Sequence, residues 1–102
     1  MLTRFEWDEV KAASNFKKHG IGFDIALRAF ADPFALFEQD RIEGGEERWQ
    51  TIGQVDGRLL LLVAHTISDD SGDGGPPTEV IGIISARKAD RKERLRYEQQ
   101  YG

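Results

Sequence analysis

Cationic side chains crowd the stretch IISARKADRKERLRYEQQ, residues 83–100, where an apolar run leads directly into Arg and Lys. Residues 86–102 hold six basic and three acidic side chains, a net charge of +3, whereas the other 85 residues hold eight basic and fifteen acidic ones, a net charge of −7. Such a separation of charge concerns binding partners rather than the fold. Because Arg can bind two phosphate oxygens at once and stays charged, Arg87, Lys88 and Arg91 are candidates for phosphate contacts. The competing interpretation is a solvated surface helix.

Two histidines can transfer protons near neutral pH. His19 follows Lys18 in the run KKHG, and His65 follows the apolar run LLLLVA. His19 is alternatively a cation that complements the end of a helix, and His65 is alternatively a buried ring that a neighbour satisfies by hydrogen bonding. Lys18 is a further candidate for binding phosphate.

Thiol and metal chemistry find little support in the sequence. The chain has no Cys, which excludes disulfides, thiolate nucleophiles and Cys-ligated zinc. DDSGDGG, residues 69–75, resembles the start of a calcium-binding loop, but Val80 stands where a bidentate Glu is needed and two prolines interrupt the run. We therefore predict neither a metal site nor a cofactor.

The composition indicates one folded domain that spans residues 1–102. Hydrophobic residues make up 39% of the chain, and six Phe, two Trp and two Tyr can contribute to a core. The N-terminal residues contain no apolar signal segment, and no apolar run is long enough to cross a bilayer. These features predict a cytoplasmic protein without a membrane partner.

Two helices are predicted in the first third of the chain. The first is EVKAASNFKKH, with Asp8 as its N-cap and Gly20 at its end. Apolar residues recur in it every third position, at Trp7, Val10, Ala13 and Phe16. The second is FDIALRAFADP, in which Asp24 and Arg28 have the spacing of an ion pair and the Asp-Pro step ends the helix.

Four strands follow, in FALFE, ERWQTIGQV, RLLLLVAHT and EVIGIIS. Asp56-Gly57 predicts a type I′ turn between the second and the third strand. Because RLLLLVAHT is apolar at successive positions, it is expected at the centre of a sheet with both faces covered. SDDSGDGGPP, residues 68–77, predicts a surface loop.

A third helix is predicted from Arg91 towards Tyr101. Asp90 and Glu93 have the spacing of a capping box, and Leu95 is expected to face the protein. The predicted fold is therefore α+β, with two N-terminal helices, a four-stranded and mainly antiparallel sheet, and a C-terminal helix.

Five blocks of the sequence resemble the BrnT toxins of type II toxin–antitoxin modules. They are FEWDEVKAASNFKKHGIGF (5–23), FADP (30–33), GEERWQTIG (45–53), GRLLLLVAHT (57–66) and IISARKADRKERLRYE (83–98). The resemblance implies a RelE-like fold, metal-independent endonucleolytic cleavage of RNA that inhibits translation, and neutralisation by a BrnA-like ribbon-helix-helix antitoxin. It also implies contact with operator DNA only through the antitoxin, and it allows a dimer within the antitoxin complex.

The resemblance assigns roles to seven residues and favours His19 over His65. The catalytic candidates are Lys18, His19, Glu47 and Arg87. The RNA-binding candidates are Arg48, Lys88 and Arg91. Glu47 would act as a base or orient Arg87 by a bidentate contact, and its alternative is an ordinary exposed ion pair.

One departure from the family supports an alternative function. Gly82 stands where related toxins carry Arg in the run IRIISAR, and the loop before it is long. If that Arg holds a phosphate, the chain is a catalytically weak homologue that acts mainly as an antitoxin-binding partner and transcriptional co-repressor.

Overall fold

A five-stranded sheet with helices on both faces forms the protein, which a computed structural model describes at residues 2–70 and 72–100. The strands are β1 (Leu2–Glu6), β2 (Leu36–Glu43), β3 (Glu46–Val55), β4 (Leu59–Asp70) and β5 (Thr78–Lys88). The helices are α1 (Glu9–His19), α2 (Phe23–Ala26) and α3 (Arg91–Gln99), with 3₁₀ segments at Leu27–Ala31 and Gly72–Gly74. The α+β class is confirmed. None of the described helices is long and apolar enough to cross a membrane.

The sheet has the strand order β1-β5-β4-β3-β2, so the prediction of four strands is wrong. The missed strand is β1, which pairs in parallel with β5 from Leu2 opposite Thr78 to Glu6 opposite Gly82. All other neighbouring strands are antiparallel. Because β1 is five residues long and its partner lies far along the chain, neither a turn nor a long apolar pattern marks it in the sequence.

Helix α1 has the predicted ends but turns a different side to the sheet. The Asp8 carboxylate accepts hydrogen bonds from the first-turn backbone, and Gly20 ends the helix with a φ of 73°. Val10 and Phe16 are 78% and 59% exposed, so the predicted apolar side does not face the core. Asn15 is buried instead. Its amide group donates to the carbonyls of Ile21 and Ala86 and accepts from the Ala86 N–H, and these three bonds orient the helix.

The second predicted helix is only four residues of α-helix, α2, continued by the 3₁₀ segment Leu27–Ala31. Arg28 pairs with Asp56, at 3.2 Å, and not with Asp24 as predicted. The backbone turns to an extended conformation at Asp32, whose carboxylate accepts from the backbone N–H of Gln54 and from the Tyr97 hydroxyl. These bonds fasten the segment to β3 and α3.

Strand β4 lies at the centre of the sheet with both faces covered, as predicted. Leu61 and Val63 pack against α1, α2 and the following 3₁₀ segment, on what we call the α1 face. Leu60 and Leu62 pack on the opposite side near Tyr97 of α3, on what we call the α3 face. The turn before β4 is also confirmed, since Asp56 and Gly57 both have positive φ. Strand pairing continues through Asp70 and resumes at Thr78, so the predicted loop is shorter than expected.

Helix α3 begins with the predicted capping box. The Asp90 carboxylate accepts from the Glu93 N–H, and the Glu93 carboxylate accepts from the Asp90 N–H, each at 2.8 Å. The prediction that Leu95 faces the protein is wrong, because Leu95 is 47% exposed whereas Tyr97 is 5% exposed. The aromatic ring fills the space over the α3 face. The predicted end at Tyr101 lies outside the described residues.

Candidate functional site

Arg87 is tied to α3 by a two-pronged ion pair. Its two terminal nitrogens each donate to one carboxylate oxygen of Glu93, both at 2.8 Å. The Glu93 side chain is 10% exposed, and these hydrogen bonds raise the pKa of Arg87 above its ordinary value. The donor geometry that would bind two phosphate oxygens is therefore already used within the protein. Arg87 joins the end of β5 to α3.

Glu47 does not orient Arg87, and that interpretation is wrong. The bidentate partner of Arg87 is Glu93, whereas Glu47 is exposed at the start of β3. Alternation along the strands places Glu47 on the α1 face and Arg87, which is level with Leu62, on the α3 face. Five residues along the strand and two strands across also separate them, about 19 Å. The seven predicted residues therefore do not form one cluster.

Four of the predicted residues do reach the same end of the sheet. Because Asn15 bonds to Ala86, α1 and β5 run side by side at that level. His19 follows one helical turn after Asn15, and Lys88 follows two residues after Ala86, so both lie about 6 Å further on. Arg91 opens α3 just beyond Lys88. We call Lys18, His19, Lys88 and Arg91 the basic end.

The positive charge of the basic end is not compensated within the described residues. None of its four members forms an ion pair with another described residue. Of the two carboxylates at the start of α3, Glu93 is paired with Arg87, whereas Asp90 accepts from a backbone N–H and keeps its negative charge, so Lys18, Lys88 and Arg91 still outnumber it. A protein with a net charge of −4 thus presents three unpaired cations, Lys18, Lys88 and Arg91, where α1, β5 and α3 come together. Such a local patch attracts anions despite the overall charge.

His65 is a buried structural residue, as one of its two interpretations held. The residue is 0% exposed, and its ring packs 4.9 Å from the Phe30 ring and 5.5 Å from the Phe37 ring, between centroids. Nε2 lies 2.8 Å from the Thr51 hydroxyl, and Nδ1 lies 3.3 Å from the Thr66 carbonyl. Nδ1 therefore carries the proton and donates to the carbonyl, while the hydroxyl donates to Nε2. No substrate reaches this ring.

Burial of His65 should make stability depend on pH. Desolvation lowers its pKa from 6.5 to about 4, so the unfolded chain binds a proton over that interval and the folded protein does not. Stability is then complete above pH 6.5 and falls as the pH drops towards 4, by about 3 kcal/mol in total. Urea denaturation between pH 7 and pH 5 measures this slope. His65→Gln should flatten it by about 1 kcal/mol per pH unit. An unchanged slope in a folded variant would contradict the assignment.

A second polar cluster lies over Gly82, near the middle of β5. A cleft of about 340 Å³ is lined there by Lys11, Glu46, Thr66 and Gly82, among others, and we call it the edge cleft. A Cβ atom on residue 82 would come within 2.6 Å of the Thr66 hydroxyl oxygen, so glycine is what leaves this space open. Reasoning from the sequence did not single out Lys11 or Glu46 as candidate site residues. Alternation from the buried Ile52 would have placed Glu46 on the α3 face.

Arg48 stands beside the edge cleft with an unsatisfied donor. It precedes Trp49, which pairs with His65, so Arg48 is level with Thr66. Its Nε is buried and has no hydrogen-bond partner among the described residues, and the Glu46 carboxylate lies 3.9 Å away. A buried polar group without a partner costs about 1–3 kcal/mol. This destabilising, unpaired donor therefore lies close to the edge cleft.

Comparison with known proteins agrees with this fold and identifies the family. The chain is similar at 22% identity to the Brucella abortus ribonuclease toxin BrnT, whose crystal structure at 1.1 Å resolution superimposes with a TM-score of 0.51 over 89% of this chain and 100% of that one. No curated protein matches the sequence. A family model described as "Ribonuclease toxin, BrnT, of type II toxin-antitoxin system" matches residues 7–93. Because this match covers most of the sequence, the chain belongs to the BrnT family of ribonuclease toxins of type II toxin–antitoxin systems.

Proposed function

We propose that the protein is a metal-independent endoribonuclease that inhibits translation by cleaving RNA, and that it binds the RNA backbone at the basic end. The observation that carries the proposal is the gathering of unpaired cations beside His19 in an otherwise acidic protein. Phosphate contacts by Lys and Arg supply much of the affinity of proteins for nucleic acids. Lys18, Lys88 and Arg91 are the proposed phosphate ligands.

The proposed chemistry uses the 2′-hydroxyl of the substrate as the nucleophile. His19 removes the proton of that hydroxyl, and the oxygen attacks the adjacent phosphorus. The bond from phosphorus to the 5′ oxygen breaks, leaving a cyclic phosphate, and Lys18 donates a proton to the departing oxygen. Lys88 and Arg91 stabilise the negative charge that builds on the phosphate oxygens. Arg87 contributes by fixing α3 against β5, so Arg91 keeps its position.

Metal independence rests on the kinds of side chain at this end. Divalent cations that catalyse phosphate chemistry are held mainly by carboxylates, and the carboxylates of Asp90 and Glu93 are bound to backbone and to Arg87. Within residues 2–70 and 72–100, no three His, Asp or Glu side chains are grouped to hold a metal ion. Protein cations can supply the charge that a metal would provide.

Cleavage in EDTA tests the proposal. The purified protein, free of antitoxin, should cut single-stranded RNA in EDTA to products that end in a cyclic phosphate. Lys18→Gln should lower the rate about a hundredfold to ten-thousandfold, because it removes the proposed general acid. Lys17→Gln is the matched control, since Lys17 is exposed on the outer side of the same helix. Cleavage only after Mg²⁺ is added would contradict metal independence, and no cleavage in either condition would contradict the nuclease.

Membership of a type II toxin–antitoxin family implies an antitoxin partner. We propose a BrnA-like ribbon-helix-helix antitoxin that covers the basic end and carries the complex to operator DNA. One observation favours a second candidate function, because Gly82 removes a cation that related toxins carry in β5. The second candidate is a catalytically weak homologue that acts as an antitoxin-binding partner and transcriptional co-repressor. It is the better account if the isolated protein leaves RNA intact but still binds its antitoxin.

A further inference from the structure

We propose that two copies of the protein associate through their α1 helices, which form an antiparallel pair with a twofold axis at Ala13. The inference starts from the apolar spacing of α1 that the core does not use. It concerns the assembly of the protein and does not depend on the proposed cleavage of RNA. Five residues of α1 point away from the sheet, and we call them the outer side, namely Glu9, Val10, Ala13, Phe16 and Lys17.

The outer side carries apolar side chains that are in contact with water. Val10 is 78% exposed and Phe16 is 59% exposed, because the buried Asn15 turns the opposite side of the helix to β5. Beside Phe16, a cleft of about 410 Å³ opens between α1 and α2, and apolar side chains such as Trp7 and Phe23 line it. Contiguous exposed apolar surface of this kind marks an interaction site.

The apolar residues of the outer side match those of a second copy. In a twofold pair, each residue meets the residue that lies equally far from the axis in the other copy. Val10 and Phe16 are each three residues from Ala13, so Val10 of one copy faces Phe16 of the other. The small Ala13 side chains meet at the axis and allow the helices to approach closely. Val10 then covers the exposed Phe16 ring beside the cleft.

The charges of the outer side decide the partner and its direction. Glu9 and Lys17 are each four residues from Ala13, so an antiparallel pair brings them together twice, whereas a parallel pair would bring like charges together. Neither side chain forms an ion pair with a described residue of its own chain, and about 12 Å of helix separates them. The Trp7 indole donates to one Glu9 oxygen at 3.1 Å, which leaves the other oxygen for lysine. This complementarity points to a second copy.

The pairing leaves the proposed RNA site open. Lys18 and His19 lie within about 60° of Asn15 around the helix, on the side of α1 that faces the sheet. Each copy therefore keeps an exposed basic end, and cleavage does not require the dimer. An α1 helix of 11 residues is about 16 Å long, so the interface is small. We expect association only above about 10 μM, with monomers in a dilute cleavage assay.

Sedimentation velocity of the purified protein measures this association. Between about 1 μM and about 500 μM, the weight-average mass should rise from 11.5 kDa towards twice that value. Phe16→Ser should weaken association about tenfold or more, because each substitution acts twice in a twofold dimer. Leu95→Ser is the matched control, since Leu95 is 47% exposed on α3, and it should leave association unchanged. Thermal melting should show that both variants remain folded.

Charge reversal tests the antiparallel register. Glu9→Lys alone and Lys17→Glu alone should each stay monomeric over the same concentrations, because each brings like charges together at both ends of the interface. An equimolar mixture of the two variants should associate, because every such contact then joins opposite charges. A mixture that stays monomeric would overturn the proposal, as would a monomeric wild type or equal association of Phe16→Ser and Leu95→Ser. If Phe16→Ser weakens only the binding of antitoxin, the outer side is an antitoxin surface and the dimer is rejected.

Discussion

Arg87→Met is expected to lower the free energy of unfolding by about 3 kcal/mol. The change leaves the Glu93 carboxylate, 10% exposed, without the cation that both of its oxygens contact at 2.8 Å. Breaking a buried ion pair costs about 3–5 kcal/mol, and the lower end applies here because the Arg87 side chain is 38% exposed. Urea denaturation at neutral pH measures the loss.

Two further variants show whether the ion pair causes the loss. Arg87→Met combined with Glu93→Gln should be more stable than Arg87→Met alone, because no buried charge is then left without a partner and the amide oxygen can still accept from the Asp90 N–H. Arg94→Gln, on an exposed side of α3 and outside any described ion pair, should change stability by less than about 0.5 kcal/mol. Equal stabilities for Arg87→Met and Arg94→Gln would contradict the structural role. RNA cleavage by the double variant would further show that the Arg87 charge is not needed for the chemistry.

The parts of the fold that the sequence predicted correctly are those with local signals. The Asp8 cap, the Asp56-Gly57 turn and the Asp90 capping box each need only residues a few positions apart. Strand β1 was missed because its pairing partner is distant, and the buried side of α1 was misassigned because a polar residue, Asn15, decides it. A three-residue apolar spacing cannot show that an amide will be buried for its hydrogen bonds.

The candidate site residues were predicted individually, and the fold places some of them together and others far apart. Lys18, His19, Lys88 and Arg91 lie at the same end of the sheet because α1 runs beside β5, an arrangement that no sequence spacing reveals. Arg87 has the side chain best suited to phosphate, but its neighbour Glu93, six positions away, uses the same donors first. Attraction between charges is decided by distance in the folded chain, so a cation is available to a ligand only where no carboxylate of the protein reaches it.

The distribution of ion pairs leaves an acidic protein with cations that are available to the proposed RNA substrate. Four exposed cations form ion pairs with carboxylates on the surface, namely Arg4, Arg28, Arg41 and Arg96. Their positive charges are therefore largely compensated within the protein. The cations of the basic end are not paired in this way. At physiological salt, interactions beyond about 8 Å are screened, so the local excess determines binding more than the net charge of −4.

His19→Gln is expected to lower kcat for RNA cleavage by about a hundredfold to ten-thousandfold with a much smaller change in KM. The change removes the proposed proton acceptor, and a general base contributes a factor of this size, whereas the phosphate ligands that set RNA affinity remain. The fold should tolerate the variant, because His19 is half-buried at the end of α1 and Gly20 still ends the helix. The pH–rate profile should lose one titrating limb as well, which loss of a merely structural side chain would not produce. If KM rises while kcat and the profile stay unchanged, His19 binds RNA without transferring its proton, and the base must be sought elsewhere near the basic end.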